Sequence, residues 1–444
     1  MPRLLLLFLL AVPLCAQDAL SLRDAVQLGL RGNQSIAASE AAIMVADTQV
    51  SAAKNGWLPK VNYTESLTRG NNPVYVFGAL LTQHQFTEQD FDLYSLNRPG
   101  FLDNFQSLVT LEQPLYDAGR TRLATKTAET NRTISTEEKR RTQMNLMAQV
   151  VRTYWKAVLT KALLEASDQS LRSVEADLAR AENLRDAGMA TEADVLSTRV
   201  HEAAVREQKI ERAAQLDVAQ SALNDALGLP LDTPHQLTSS LASAPVAEQK
   251  AADLERAASE ERPEARETKL AMTLVGLQSE TARSAYRPTV AFIGAFEADR
   301  QTFADKGGAN WQFGVTLRWN LFNGFADKEQ VRAAGYQIAR ARAEEREMDS
   351  AVRLDVRRAL AALRAANERV ESARAVVADS EESLRITQNR YAAGMGNVTD
   401  VLRTEAAVSE SKTRQLTAIH DQRIAAANVE LVSGRLSPES EVLN

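Results

Sequence analysis

The sequence predicts an α+β membrane protein made of two internal repeats, in which long helices adjoin β-strands that close a barrel only when copies of the chain share it. Three observations predict this. The chain matches itself three times in the same order. Two long stretches are free of proline and nearly free of glycine. Residues 311–321 alternate strictly between apolar and polar side chains.

The first residues read as a leader. Arg3 supplies a positive charge, and Leu4 to Leu14 is an apolar run too short to span a bilayer. Residues 1–16 are therefore expected to be a signal peptide, cleaved after Ala16. Cys15 is the single cysteine, so a mature chain without it forms no disulfide. It either leaves with the leader or carries a lipid, and the bulky Leu14 before it favours departure.

The repeats set the domain plan. Trp57-Leu-Pro-Lys-Val-Asn-Tyr63 matches Tyr286-Arg-Pro-Thr-Val-Ala-Phe292, and Val109 to Gly119 matches Val315 to Phe325. Ala187-Gly-Met-Ala-Thr-Glu-Ala-Asp-Val-Leu196 matches Ala393-Gly-Met-Gly-Asn-Val-Thr-Asp-Val-Leu402. The offset drops by about 23 residues after the first match, so the first half carries an insertion between residues 63 and 109. Residues 17–228 form the first repeat and 263–436 the second. A proline-bounded linker occupies 229–262, and 437–444 is a short tail.

Proline and glycine then bound the helices. No proline falls between Pro114 and Pro230 or between Pro288 and Pro438. Helices are predicted over 120–186, 191–227, 326–392 and 398–433. The longer pair would each run about 100 Å at 1.5 Å per residue, which requires support from neighbouring helices. Heptad-spaced residues offer it: Val356, Leu363, Val370, Val377, Leu384 and Tyr391 in one, and Val150, Ala157, Leu164, Leu171 and Leu178 in the other.

Strands are predicted over 59–69, 105–115, 288–298 and 311–321, paired as two hairpins. In the last strand Trp311, Phe313, Val315, Leu317 and Trp319 fall on one face and are expected to meet lipid. Four strands cannot close a barrel, and open sheet edges are not tolerated in hydrocarbon. Closure must therefore be shared between copies, a condition that two, three or more copies would meet. The insertion, residues 71–105, is rich in aromatics: Tyr75, Phe77, Phe86, Phe91 and Phe101. It could cap the barrel mouth, but packing on the outer face is the simpler expectation.

Composition narrows the function. About 44% of residues are apolar and 25% charged, as in a folded chain. The net charge of −6 and the lack of a basic run exclude a nucleic-acid partner. His84, His201, His235 and His420 have no metal-ligand spacing, and no phosphate-binding or nucleophile motif occurs. Neither an enzyme nor a metal site is expected.

These features together resemble the TolC family of outer-membrane efflux proteins, over nearly the whole mature chain. The resemblance rests on the duplication, on Leu115-Tyr-Asp-Ala-Gly119 and Leu321-Phe-Asn-Gly324 after the strands, and on the two Ala-Gly-Met breaks. It implies a homotrimer whose 12-stranded β-barrel lies in the outer membrane lipid and continues into a periplasmic α-helical barrel. The implied function is that of the outer-membrane exit duct of a tripartite efflux or type I secretion system. Its partners would be a periplasmic membrane-fusion adaptor and an inner-membrane pump of RND or ABC type, and no cofactor is needed. The alternative is a soluble periplasmic coiled-coil scaffold, which would have no use for the apolar face of 311–321.

By position, the resemblance makes Tyr391 a gate tyrosine at the periplasmic tip, Asp194 its acidic hydrogen-bond partner and Asp400 one acid of a constriction ring. Arg403 stands where a second acid is often found, and Gly396 where an arginine would join the latch. Gly188, Met189, Gly394 and Met395 match adaptor-docking positions. Against these roles stands a plainer one: Asp194 and Asp400 begin helices, where a carboxylate complements the helix dipole.

Overall fold

The computed structural model describes residues 19–244 and 250–443. The expected signal peptide, with Cys15 and its cleavage site, lies outside the described residues, as does Pro245 in the linker. Two compact units are assembled from separate stretches of chain. One comprises residues up to Ala41 with Thr136–Thr268 and Arg346–Asn444, and the other Ala42–Ser135 with Lys269–Glu345. Each unit thus draws on both halves of the sequence.

In chain order the elements are β1 (Ala19–Leu20), α1 (Leu22–Gly32), α2 (Gln34–Lys54), β2 (Lys60–Gly70), α3 (Pro73–Thr82), α4 (Leu93–Asn97) and β3 (Leu102–Tyr116). There follow α5 (Arg120–Asp186), α6 (Glu192–Leu227), β4 (Gln236–Leu237), α7 (Ala251–Glu261) and α8 (Pro263–Ser284). The chain continues with β5 (Thr289–Arg300), β6 (Gly308–Arg318), α9 (Ala326–Ala392) and α10 (Val398–Val432). The helices begin and end where proline, glycine and the breaks predict, because nothing inside them interrupts the ladder. No helix among the described residues is long and apolar enough to cross a membrane.

The second unit holds the sheet, in the order β2-β3-β5-β6 with every pair antiparallel. The register aligns Tyr63 with Val109, Val109 with Phe296, and Phe296 with Trp311. Alternation then gathers Val61, Tyr63, Leu67, Phe296, Trp311, Phe313, Val315 and Leu317 on one face, all of them exposed. The opposite face carries Thr64, Ser66, Asn104, Asp299, Asn310, Gln312 and Thr316. Among the described residues, both edge strands, β2 and β6, lack a partner along their outer sides.

β6 starts at Gly308 and ends at Arg318, three residues earlier at each end than 311–321. Trp319 accordingly lies beyond the strand, and its indole Nε1 donates to the Tyr286 carbonyl at 3.0 Å. The ladder stops there because Pro288, next to the last pair Thr289–Arg318, has no N–H to offer.

The insertion overturns the outer-face expectation. α3 packs on the polar face of the sheet, where Gln83 Nε2 donates to the Asp103 carbonyl (3.0 Å) and to Asn104 Oδ1 (2.8 Å). Asn310 Nδ2 donates to the Thr82 carbonyl at 3.0 Å. Buried donors and acceptors on that face need partners, and the helix end supplies some of them, while Gln83 Oε1 and Asp299 Oδ2 stay unpaired.

The other unit is helical. Its larger core surrounds Tyr154 and Trp155 of α5 with Leu22 and Val26 of α1 and Leu223 and Leu227 of α6. Tyr154 satisfies its hydroxyl by donating to the Leu20 carbonyl at 2.9 Å, with Ser239 Oγ at 2.8 Å. A second core joins Leu254 and Ala258 of α7 to Val352, Val356 and Leu363 of α9 and Val429 of α10. Along the heptads Val356, Leu363, Val370 and Val377 are buried, but on α5 burial passes from Leu164 to Leu163 and from Leu178 to Val174 and Ala181. A straight helix drifts against a strict seven-residue repeat, which shifts the buried stripe.

Candidate functional site

The candidate site is the pair of helix breaks and the side chains immediately behind them. Both breaks have the same local construction. After α5, Gly188 takes φ +75° and Met189 N–H donates to the Leu184 carbonyl at 2.8 Å. After α9, Gly394 takes φ +72° and Met395 N–H donates to the Arg390 carbonyl at 2.9 Å. Only glycine adopts this left-handed turn without strain, so the glycines satisfy the last helical carbonyls. Met189 and Met395 project from the turns, 72% and 68% exposed.

Helix starts follow. Thr191 caps α6, and Asp194 closes a capping box by accepting from Thr191 N–H (2.9 Å) and Oγ1 (2.8 Å). Asn397 caps α10 by accepting from Asp400 N–H at 2.8 Å. The Asp400 carboxylate is instead taken by Arg403, whose Nη2 lies 3.0 Å away. Arg403 thus cancels much of the negative charge that Asp400 would present.

Salt bridges staple the first hairpin near its tip. Arg185 reaches Glu192 at 3.3 Å and Arg199 reaches Glu182 at 3.1 Å. On the second hairpin the corresponding links sit farther back, Lys412 to Glu381 at 2.8 Å and Ser380 to Ser411 at 2.8 Å. Each exposed pair contributes at most about 1 kcal/mol.

The expected hydrogen bond from Tyr391 to Asp194 is not formed within the chain. The Tyr391 hydroxyl is buried without a hydrogen-bond partner. Asp194 Oδ2 is occupied by Thr191, so within one chain Asp194 has the helix-start role. The two residues are nonetheless neighbours. Burial, then the charges of Asp194 and Asp177, push the phenol above its usual pKa.

Behind the tip lies a buried polar layer that no sequence motif marks. Glu405 of α10 is 8% exposed, and neither of its carboxyl oxygens makes a hydrogen bond. It faces Asp177 of α5, Gln388 of α9 and His201 of α6, the last with Nε2 at 3.7 Å from Oε2. Burial and the neighbouring Asp177 carboxylate push Glu405 up to about 8, with Arg180 opposing. Burial pushes His201 below its usual value. Asp177 Oδ1 accepts from Arg180 at 2.9 Å, while its Oδ2 is buried and unpartnered. Glu405, pushed up to about 8, keeps its proton at neutral pH. A signal for this layer was present: Val398, Val401, Glu405 and Val408 fall on one helical stripe, so Glu405 occupies a core position.

No cluster of metal-ligating side chains occurs among the described residues. The arrangement can hold two hairpins together and can change with protonation.

The family described as outer membrane efflux protein matches residues 25–229 and 254–435. The proteases secretion protein PrtF of Dickeya chrysanthemi is 26% identical over 215 residues, 48% of this chain and 43% of PrtF, so the match spans less than half of that relative. The outer membrane efflux protein BepC of Brucella suis biovar 1 is 22% identical over 430 residues, 96% of this chain and 88% of BepC. Among solved structures, the CmeC outer membrane channel of Campylobacter jejuni superposes with a TM-score of 0.77 at 15% identity, covering 95% of this chain and 87% of CmeC.

Proposed function

The chain belongs to the outer membrane efflux protein family, and on that premise we propose that it is a passive exit duct of the outer membrane. Substrate would reach it from a periplasmic adaptor and an inner-membrane pump, which supplies the energy. The observation that carries this reading is the sheet, with one face of exposed apolar side chains and two unpaired edges. Each unpaired backbone group costs several kcal/mol in hydrocarbon, so the edges must meet those of other copies. Three copies make 12 strands, the number that the resemblance implies. Val315 and Leu317 would then face lipid, with Trp311 and Phe313 beside them.

The helix breaks form the periplasmic entrance in this reading. Tyr391, Asp194, Asp400 and Arg403 lie at the gate, and the turns Gly188-Met189 and Gly394-Met395 meet the adaptor. Exposed methionines suit such a contact because their side chains adapt to a partner surface. The looser stapling of the second hairpin makes it the element that moves.

Native mass measurement in detergent, followed by recording in planar bilayers, tests the duct. A trimer that conducts once its tip is opened is the expected result. A stable monomer, or a protein absent from detergent-extracted outer membranes, overturns it and favours the soluble scaffold.

A further inference from the structure

We propose that a calcium ion ties α3 to the sheet, bound between the Asp299 carboxylate of β5 and the side-chain carbonyl of Gln83 at the end of the helix. Two buried oxygens there have no hydrogen-bond partner. Asp299 is 1% exposed; its Oδ1 accepts from Asn104 Nδ2 at 2.6 Å, while its Oδ2 is unpaired. Gln83 is also 1% exposed; its Nε2 serves the Asp103 carbonyl and Asn104 Oδ1, while its Oε1 is unpaired. Asn104 uses both ends of its amide, accepting from Gln83 and donating to Asp299, which fixes how the three side chains are turned.

Packing sets Gln83 beside Asp299. Gly308 of β6 stands opposite Asp299 in the β5–β6 ladder. A Cβ on Gly308 would collide with the Thr82 carbonyl and come 2.9 Å from the Gln83 carbonyl carbon. Opposite residues of a ladder have Cβ positions about 5 Å apart, so the Gln83 backbone neighbours the Asp299 side chain. His84 follows at φ +54°, with Nε2 3.2 Å from Asn310 Oδ1. A non-glycine residue takes that turn at a cost, which the contacts around it offset.

Charge decides what fills the gap. A water molecule could donate to both free oxygens, but it would leave the charge of the carboxylate uncompensated. Buried carboxylates are paired with a base or bound to a metal, because burying an isolated charge is costly. No base is at hand. The polar face of the sheet carries Lys60 and Arg318 only at its far end, residues 73–87 include no lysine or arginine, and Lys306 of the β5–β6 turn is exposed. Glu297, two residues before Asp299 on the same face, adds a second carboxylate, which accepts from Gln106 Nε2 at 3.2 Å. The free donors are oxygens, one from a carboxylate and one from an amide. Calcium takes such ligands together with water in a flexible shell, whereas magnesium demands a near-ideal octahedron. The set is not a group of three or more histidine, cysteine or carboxylate side chains, and none of that kind occurs among the described residues. Its members come from a helix end and two strands, so no spacing in the sequence reveals it.

The test uses full-length protein in detergent, stripped of metal with EDTA, dialysed and titrated with calcium chloride in a calorimeter. One ion per chain should bind with Kd of about 0.1–1 mM, as suits a site with few charged ligands. At about 10 mM calcium the thermal midpoint should rise by several degrees, and α3 amides should exchange with deuterium severalfold more slowly. Magnesium chloride at the same concentration should do much less. Asp299→Asn keeps the shape and buries no charge, so in EDTA it should be at least as stable as the wild type, yet lose the calcium response. Gln83→Met keeps the length without the oxygen and should weaken calcium binding about tenfold or more. No response in the wild type would mean a bridging water only and would overturn the proposal. An equal response in Asp299→Asn, unchanged affinity in Gln83→Met, or an equal response to magnesium would each overturn it too. The site lies within one chain, so a monomer or a trimer reads these results alike, and failure here leaves the duct reading standing.

Discussion

Replacing Glu405 with glutamine keeps the shape of a buried side chain and removes its titration. As the hairpins pack in this chain, Glu405 is pushed up to about 8 by burial and by Asp177, from an ordinary value of 4.5. A carboxyl whose pKa is raised in the packed state favours that state most below its ordinary value, and the advantage is lost as pH rises toward 8. Opening the tip to water would return Glu405 toward its ordinary behaviour. Between pH 5 and pH 8 the exposed acid gains about 4 kcal/mol from ionising and the buried one about half a kcal/mol, so closure weakens by about 3.5 kcal/mol. His201 acts in the opposite direction. Its lowered pKa makes closure most favourable above the ordinary histidine value, an advantage lost as pH falls through its folded value. The remaining neighbours, Asp177, Arg180, Tyr391 and Gln388, belong to both proteins alike, so the difference between wild type and Glu405→Gln isolates the one carboxyl. Single-channel recording at pH 5 and pH 8 is the assay. Wild type should open far more often at pH 8, by up to about four hundredfold. Glu405→Gln should respond much less, because its amide can donate permanently toward Asp177. An unchanged pH response in the variant would refute the reasoning, since the titrating group would then lie elsewhere.

Other perturbations test neighbouring parts. Val315→Arg should cost about 2–4 kcal/mol near the bilayer midplane, while Thr316→Arg, on the polar face, should cost much less; unfolding from lipid vesicles measures both, and equal costs would invert the sheet. Asp194→Ala removes a capping box and should lower stability by about 1 kcal/mol, read from the thermal midpoint. Tyr391→Phe deletes a buried hydroxyl that has no partner within its chain, so closure should be unchanged or slightly stronger in bilayer recordings. Frequent opening of that variant would show that the hydroxyl bonds a neighbouring copy. Gly394→Ala should cost about 1–2 kcal/mol through strain at φ +72°, with local proteolysis at the second tip as the readout.

Why the helices were legible is plain from their composition. α5 and α9 carry no proline, α5 has no internal glycine, and the single internal glycine of α9, Gly335, sits on its exposed surface. The breaks were visible because Gly188 and Gly394 each end such a run and Thr191 or Asn397 follows as a cap. β6 was legible by its alternation, but its ends were not. Trp319 and Leu321 continue the apolar pattern past the point where Pro288 ends the ladder, and periodicity does not register a missing donor on another strand. α3 was hidden for a related reason. Its residues Pro73 to Thr82 are apolar nearly all round, so no stripe shows which side is covered. Its anchor is a set of polar groups on the sheet, Asn104, Asp299 and Asn310, that reads in each strand simply as the solvated half of an alternation.

The tip motifs disclose helix starts and conceal what each carboxylate there does. Asp194 and Asp400 occupy the same place in their helices, yet the first closes a capping box and the second meets Arg403. The difference lies three residues away in each case, in Thr191 against Asn397 and in an arginine on the next turn. Sequence resemblance carries such positions across as a set, although the chemistry of each is decided by its immediate neighbours. Glu405 shows the converse. It sits in no motif, and its character comes from Asp177, His201 and Gln388 on three other helices, none of them near it in sequence. A charged residue on an apolar stripe is therefore the feature most worth following along these hairpins. Burying it costs the bundle unless the layer holds a proton, and that proton links the packing of four helices to the pH around them.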